Sequence, residues 1–520
     1  MEQKTKKQMS PRKRRWLIIG GIAAFVLIAA AVVLIVVLSG KNCKNHKDKD
    51  QNGVCDKCGA KLGIKIDFYA INDLHGKFDD SSQQPGVDEL SLFLREEQMI
   101  KDNVVLLSSG DMWQGTSESN QTKGEILVDW MNELGFVSQT LGNHEFDWGE
   151  EFVANNAAKA NFPFLAINVM DRKTGARVSY AKPSVMVETG GVKIGIIGAI
   201  GDCYSSIAAE KSAGFEIVTG SALSRLIKEE ADRLRADGAD VIVLSIHDGY
   251  DESFPKMHVL PDNKIAGFYD VSLSKDTVDL VFEGHTHQSY VIMDSFGVYH
   301  LQNGGENKGI SHAVITVNPA TGVISVDTAE IIASNVYAMH GQDGLRDRLL
   351  EKYADKIAWT KEVSAVLPTQ MNRDDLRRLV AQLYYERGVE EWGDEYDIVL
   401  GGGFISARSP GYLTKGKINY SMIQSVFPFD NELVLCKATG LQLNQVFFKS
   451  NNENYFVYCG EYGEQVRKNI EYNKTYYIIV DSYTSTYAPN GLIEVKRLNA
   501  EIYARDLLND YFKKNYGIEK

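Results

Sequence analysis

The stretch Ile64-Lys65-Ile66-Asp67-Phe68-Tyr69-Ala70-Ile71-Asn72-Asp73-Leu74-His75 decides how this chain is read. Its first eight residues form a β-rich run. Asp73 and His75 follow two positions apart at its end, so their side chains point to the same side. The pattern recurs. Residues 104–107 lead through Ser108-Ser109-Gly110 to Asp111, with Gly110 allowing a sharp turn. Residues 241–246 lead to His247-Asp248, and 280–282 to Gly284-His285-Thr286-His287. Gly142-Asn143-His144-Glu145 completes the set. Strand ends on one edge of a sheet bring such residues around one point.

Between these runs lie segments with helical spacing at 88–100, 126–134 and 223–234, and further β-rich runs at 164–167 and 194–197. Strands alternating with helices imply a layered α/β domain. From about residue 288 strands are joined by turns, and a charged helix is expected near 344–356. Residues 361–520 mix helices (374–387, 500–512) with strands (398–400, 433–437, 476–480). A chain of 520 residues is too long for one core. The expected divisions are a basic tail (1–15), an apolar segment (16–38), a Cys/His/Asp-rich spacer (39–62), a first domain (63–335), a linker helix (336–360) and a second domain (361–520).

The formal net charge is −13, yet seven of the 56 Lys/Arg crowd into residues 1–15 against a single acid, Glu2. The acidic remainder argues against a nucleic-acid polymer as partner. It leaves room for a small phosphate ester, because bound metals supply a local positive field. Residues 16–38 are apolar and uncharged, long enough to span a bilayer of about 30 Å. The basic cluster before them predicts a cytoplasmic N-terminus, with residues 39–520 outside the cell membrane. A cleaved signal peptide is the alternative, for which the apolar region is unusually long.

Six cysteines are too few for a disulfide framework in a chain of this size. Cys43, His46, Cys55 and Cys58 have the spacing of a structural zinc clip, while Asp48, Asp50, Asn52 and Gly53 resemble the start of a calcium loop.

Asp73, His75, Asp111, Asn143, His247, His285 and His287 are suited to hold divalent metals. Carboxylates can bridge two cations, Asn143 offers a neutral oxygen, and imidazoles suit zinc, manganese, iron or cobalt. In this order, and at predicted strand ends, the motifs resemble the calcineurin-like metallophosphoesterase superfamily. More narrowly they resemble the 5′-nucleotidase / UDP-sugar hydrolase / 2′,3′-cyclic phosphodiesterase family, over about residues 64–500. That resemblance implies an N-terminal four-layer α/β/β/α domain and a C-terminal mixed α/β substrate domain. It implies two divalent ions, one on Asp73, His75, Asp111 and His287 and the other on Asp111, Asn143, His247 and His285. It makes His144 and Asp147 a catalytic dyad and implies in-line attack on phosphorus.

The same resemblance assigns substrate contacts to Gly401, Gly402, Gly403, Arg408, Phe429 and Tyr483. Leu400 stands where the family's asparagine is usual, Arg408 is displaced from the usual arginine, and the segment after Tyr483 lacks the usual aspartate. The implied function is a membrane-anchored extracellular phosphohydrolase giving nucleoside and phosphate. The alternatives are cleavage of a 2′,3′-cyclic nucleotide, cleavage of a UDP-sugar or dinucleotide pyrophosphate, and a non-catalytic surface nucleotide-binding protein.

Overall fold

The computed structural model describes residues 55–59, 62–79, 85–250, 276–294, 296–318, 321–448, 456–488, 491–498 and 501–517. Residues 16–38, Cys43 and His46 lie outside that set. Among the described residues no helix is long and apolar enough to cross a membrane. Compact packing separates the described residues into two units, the smaller comprising 55–59, 62–66, 315–318 and 321–325, the larger comprising the rest. Within the first, Cys55 is buried and Cys58 partly buried in one turn, where Cys58 N and Gly59 N donate to Cys55 O. All the residues proposed for the active site belong to the second unit.

The architecture is a two-domain α/β fold. One six-stranded sheet runs in the order Ile324–Ala333, Gly309–Val317, Ile64–Ile71, Val104–Ser108, Ser138–Thr140, Phe164–Leu165. The other runs Tyr290–Met293, Tyr299–Gln302, Leu280–Phe282, Val241–His247, Val192–Ile200, Ser184–Thr189. Strand alternation sends Tyr69 into a core with Leu90, Leu94, Ile126 and Trp130, which come from helices Val87–Ile100 and Glu125–Leu134. It sends Phe68 the other way, where its ring meets Phe282 of the second sheet at 6.1 Å. Helix Gly220–Ala236 covers the second sheet's outer face through Leu223, Ile227 and Leu234. The layers are therefore helix, sheet, sheet, helix.

The four strands from Ile64 to Leu165 pair in parallel, as do Val192–Ile200, Val241–His247, Leu280–Phe282 and Tyr299–Gln302. Parallel pairing puts their carboxyl ends on a common edge. Ser138–Thr140 was not foreseen as a strand, because all three of its residues are polar. It is buried all the same, with Thr140 Oγ1 donating to Ser245 Oγ at 2.7 Å and Gln139 Nε2 to Glu145 Oε1 at 3.2 Å. The charged helix expected near 344–356 is interrupted at Tyr353, giving Leu345–Lys352 and Ala354–Ile357.

The C-terminal part is built on a five-stranded sheet in the order Val457–Tyr458, Ile398–Gly403, Thr475–Asp481, Leu433–Thr439, Ile493–Arg497. Helices Arg373–Trp392 and Ala504–Tyr516 contribute Leu376, Val380, Leu508 and Phe512 to its core. Cys436 and Cys459 are separate buried thiols in a second cluster on this sheet.

Candidate active site

Asp73 and His75 follow the strand Ile64–Ile71, and Asp111 follows Val104–Ser108. Asn143 and His144 follow Ser138–Thr140, His247 ends Val241–His247, and His285 and His287 follow Leu280–Phe282. Five of these residues hold left-handed backbone: Asp73 (φ 50°), His75 (50°), Asp111 (53°), His285 (73°) and His287 (54°). Each such non-glycine residue costs roughly 1–2 kcal/mol. Strain of this kind gathers where side chains must be aimed, as at a functional site.

The aim is convergent. His287 Nε2 lies 3.3 Å from Asp73 Oδ1 and 3.0 Å from His75 Nε2. His247 Nε2 lies 3.1 Å from Asp111 Oδ2 and 3.3 Å from Asn143 Oδ1. Asp73, His75 and His287 form one potential metal-holding group, and Asp111, His247 and His285 another. Ligands about 2.1 Å from an ion stand roughly 3.0–3.4 Å from one another in octahedral or tetrahedral geometry. The observed spacings match, so the donor set fits two divalent ions. Asp111, 4.0 Å from His75 Nε2, lies between the two groups. Burial opposes the charges of Asp73 and Asp111, but the surrounding imidazoles outweigh it and hold both below the ordinary carboxylate range.

His144 stands beside this cluster. Its Nδ1 is 2.8 Å from Asp147 Oδ2, and its Nε2 is 3.0 Å from Arg408 Nη2. A guanidinium has only donors, so Nε2 accepts and the ring proton lies on Nδ1, facing Asp147. Burial disfavours the imidazolium, yet Asp147 and Asp111 outweigh it and raise the His144 pKa.

One residue whose role the sequence reading left unassigned is Glu145. Fully buried, its carboxylate accepts from Asp111 N (2.9 Å), Met112 N (2.9 Å), Gly142 N (2.6 Å) and Gln139 Nε2 (3.2 Å). It thereby locks the loop bearing Asp111 to the loop bearing Asn143 and His144. The signal is present in the motif Gly142-Asn143-His144-Glu145, where the glutamate follows His144 directly.

A cavity of about 220 Å³ opens on the cluster. Asp111, Asn143, His144, Asp147, His285 and His287 line one part of it. Phe404, Arg408, Phe429, Asn431 and Tyr483 from the C-terminal part line the remainder, with Glu210 and Lys211. Arg408 lies over the Phe429 ring at 5.3 Å, and Phe404 and Tyr483 rings meet at 5.7 Å. Phe429 is held from behind: buried Arg505 donates to Pro428 O and Phe429 O, and Asn120 Nδ2 donates to Pro428 O.

Gly401, Gly402 and Gly403, expected to touch substrate, do not line this cavity. They complete the strand Ile398–Gly403. A Cβ at Gly401 would stand 2.4 Å from Tyr385 N, and one at Gly402 2.3 Å from Val457 O. Gly401 and Gly402 thus let a helix and an edge strand pack closely against the sheet, while a Cβ at Gly403 would stand 2.5 Å from Thr484 Oγ1.

Residues 66–289 match the family model for calcineurin-like phosphoesterase. An apyrase of Aedes albopictus is 31% identical over 253 residues, covering 45% of this chain and 41% of its own length. The chain thus spans about two-fifths of that relative. A 5′-nucleotidase of Vibrio vulnificus is 24% identical over 74% of this chain and 75% of its own length. Among solved structures, a 5′-nucleotidase precursor from Thermus thermophilus superposes with a TM-score of 0.66 at 19% identity. That superposition covers 88% of this chain and 97% of the other, and it establishes likeness of fold.

Proposed function

We propose that this chain, whose residues 66–289 match the calcineurin-like phosphoesterase model and which has 5′-nucleotidase homologues, is a metal-dependent phosphoric ester hydrolase that converts nucleotide phosphoesters to nucleoside and phosphate. The observation that carries this reading is one cavity with three chemistries on its walls. It joins a metal-ligand cluster, the His144–Asp147–Arg408 chain and the aromatic rings of Phe404, Phe429 and Tyr483. In this reading residues 63–335 carry the metals, 361–520 the substrate contacts, and 336–360 join them.

Two divalent ions (zinc, manganese, iron or cobalt) would be held by Asp73, His75, Asp111, Asn143, His247, His285 and His287. When bound they supply Lewis-acid polarisation of the phosphoryl group and a nucleophile at neutral pH. Arg408 binds a phosphoryl oxygen in place of His144 Nε2. Once Arg408 has left it, Nε2 can take up a proton from solvent, which the charges of Asp147 and Asp111 favour. The imidazolium, oriented by Asp147, then stabilises charge developing on the leaving oxygen. Phe429 and Tyr483 offer π faces to a base. The apolar run at 16–38 behind its basic cluster supports a single-pass anchor with the catalytic part outside the cell.

The test is a substrate panel of AMP, 2′,3′-cyclic AMP and UDP-glucose on the full chain, with metal analysis of the same sample. AMP is expected to be the best substrate. No hydrolysis of any of the three, with two metals bound, would favour a non-catalytic binding protein. Preference for either of the other esters would move the assignment to that reaction. Protease accessibility on intact cells tests the orientation.

A further inference from the structure

Behind Arg408, on the side of His75, lies a second cavity about the size of one water molecule. Three loops of the metal cluster and the Arg408 segment converge on it. His75 and Lys77 come from the first loop, Gln114 from the loop after Asp111, and Glu306 from a loop whose backbone N–H donates to Asp73 O at 2.6 Å. Gly115, Arg408 and Ser425 complete the lining.

Gln114 is 1% exposed, and neither its side-chain nitrogen nor its oxygen has a hydrogen-bond partner. Glu306 is 5% exposed, and its Oε2 likewise has no hydrogen-bond partner, its nearest cation being Lys308 at 3.7 Å. Lys77 donates to Ser409 O at 3.1 Å, which leaves two of its three N–H groups for the cavity. Buried polar atoms in folded proteins are almost always paired, and a desolvated amide with no partner is costly. The walls therefore specify an occupant. A cation would meet Lys77 and Arg408, and an anion would meet the Glu306 carboxylate. A neutral molecule that both donates and accepts satisfies all of them, and the volume admits one water.

We propose that this cavity holds a single ordered water bound by the Gln114 amide, the Lys77 ammonium and the Glu306 carboxylate, which makes Gln114 a positioning residue for Arg408. Arg408 reaches His144 from a different part of the fold. The water ties Gln114 and Glu306 to Lys77, whose ammonium already holds the Arg408 segment at Ser409 O. The loop after Asp111 thereby joins the Asp73–His75 loop in fixing that segment. The Gln114 main chain already serves that cluster, since its carbonyl lies 3.2 Å from His75 Nδ1, so replacing the side chain leaves this contact in place.

The kinetic arm of the test rests on the proposed nucleotide hydrolysis; the crystallographic arm does not. A crystal structure of the full chain that resolves ordered solvent should show one water within hydrogen-bond distance of the Gln114 amide and Lys77 Nζ. An amide bonded directly to protein groups, or an ion in the cavity, overturns the proposal. In Gln114→Leu the KM for AMP should rise about fivefold, the loss of one positioned hydrogen bond, with two metals still bound and kcat less affected. A Gln114→Leu protein with KM unchanged, or with metal content and kcat falling together, overturns the positioning role. Should the variant fail to fold, the wild-type density still decides the water. Should no nucleotide be hydrolysed at all, the proposed function fails while the density retains its meaning.

Discussion

Arg408 Nη2 and His144 Nε2 meet at 3.0 Å although 264 positions separate them. The contact joins the C-terminal part to the proposed His144–Asp147 dyad beside the candidate metal-holding residues, and it uses the nitrogen that would face a substrate. Arg408→Ala is expected to lower kcat/KM for AMP by about 10²-fold, the usual cost of one preorganised donor. Arg408→Lys should restore little of this, because an ammonium lacks the planar fork. Steady-state kinetics with metal analysis checks both, and wild-type turnover in Arg408→Ala would remove Arg408 from the mechanism.

His144 touches the metal-ligand residues without belonging to the proposed ligand set. Replacement by Ala should reduce turnover by about 10²–10⁴-fold. Bound metal should stay near the wild-type level. Loss of both ions in that variant, read by plasma emission spectrometry, would make His144 a ligand instead.

Glu145 acts through backbone N–H groups of two ligand-bearing loops. Glu145→Gln keeps the size but turns an NH2 group toward donors. Apparent metal affinity should weaken about 10–100-fold, as is usual for supports behind metal ligands. Titration of chelator-stripped protein with manganese measures this. Unchanged affinity would reduce Glu145 to a packing residue.

Phe429 and Tyr483 line the same cavity as the metal cluster. If each stacks on a base, removal of either ring costs about 1–3 kcal/mol of nucleotide binding. Phe429→Ala and Tyr483→Ala should raise KM for AMP accordingly and leave hydrolysis of glycerol 3-phosphate little changed. Equal losses on both esters would mean that the rings support the fold.

Away from the cluster, His300 is buried with Glu283 Oε1 at 2.7 Å and Asp294 Oδ2 at 3.4 Å. Burial alone would lower its pKa, but Glu283 and Asp294 outweigh it and push it up to about 9. The folded protein therefore holds this proton more tightly than the unfolded chain, whose histidine titrates near about 6.5. The resulting stability is complete below about pH 6.5 and is lost as pH rises through about 9. Melting temperature should fall over that window in the wild type and fall less in His300→Gln. Parallel slopes would contradict the assignment.

The resemblance to a known family reached beyond what spacing alone could show. Ile64–Ile71 and Leu280–Phe282 were legible as strands, because runs of β-formers need no distant partner to be recognised. Ser138–Thr140 was not, since three polar residues enter a strand only when groups such as Ser245 and Glu145 await them. The glycines at 401–403 suggest a substrate element from sequence, whereas the missing side chains of Gly401 and Gly402 admit Tyr385 and Val457 and that of Gly403 admits Thr484. Glu145 was visible in its motif, but its four donors come from residues whose backbone direction no local pattern reveals.

By itself the sequence determined most of the side chains that stand at strand ends, Asn143 and His144 after Ser138–Thr140 excepted, because a strand's direction and its two-residue alternation are local properties. It also determined the chemical character of the donor set. Tertiary structure decided the rest. Parallel pairing put separate strand ends on common edges, and the C-terminal part delivered Arg408 and the aromatic rings to the same cavity. Those outcomes depend on sheet order and on packing between residues hundreds of positions apart, and it is this packing that turns a list of ligand residues into a site.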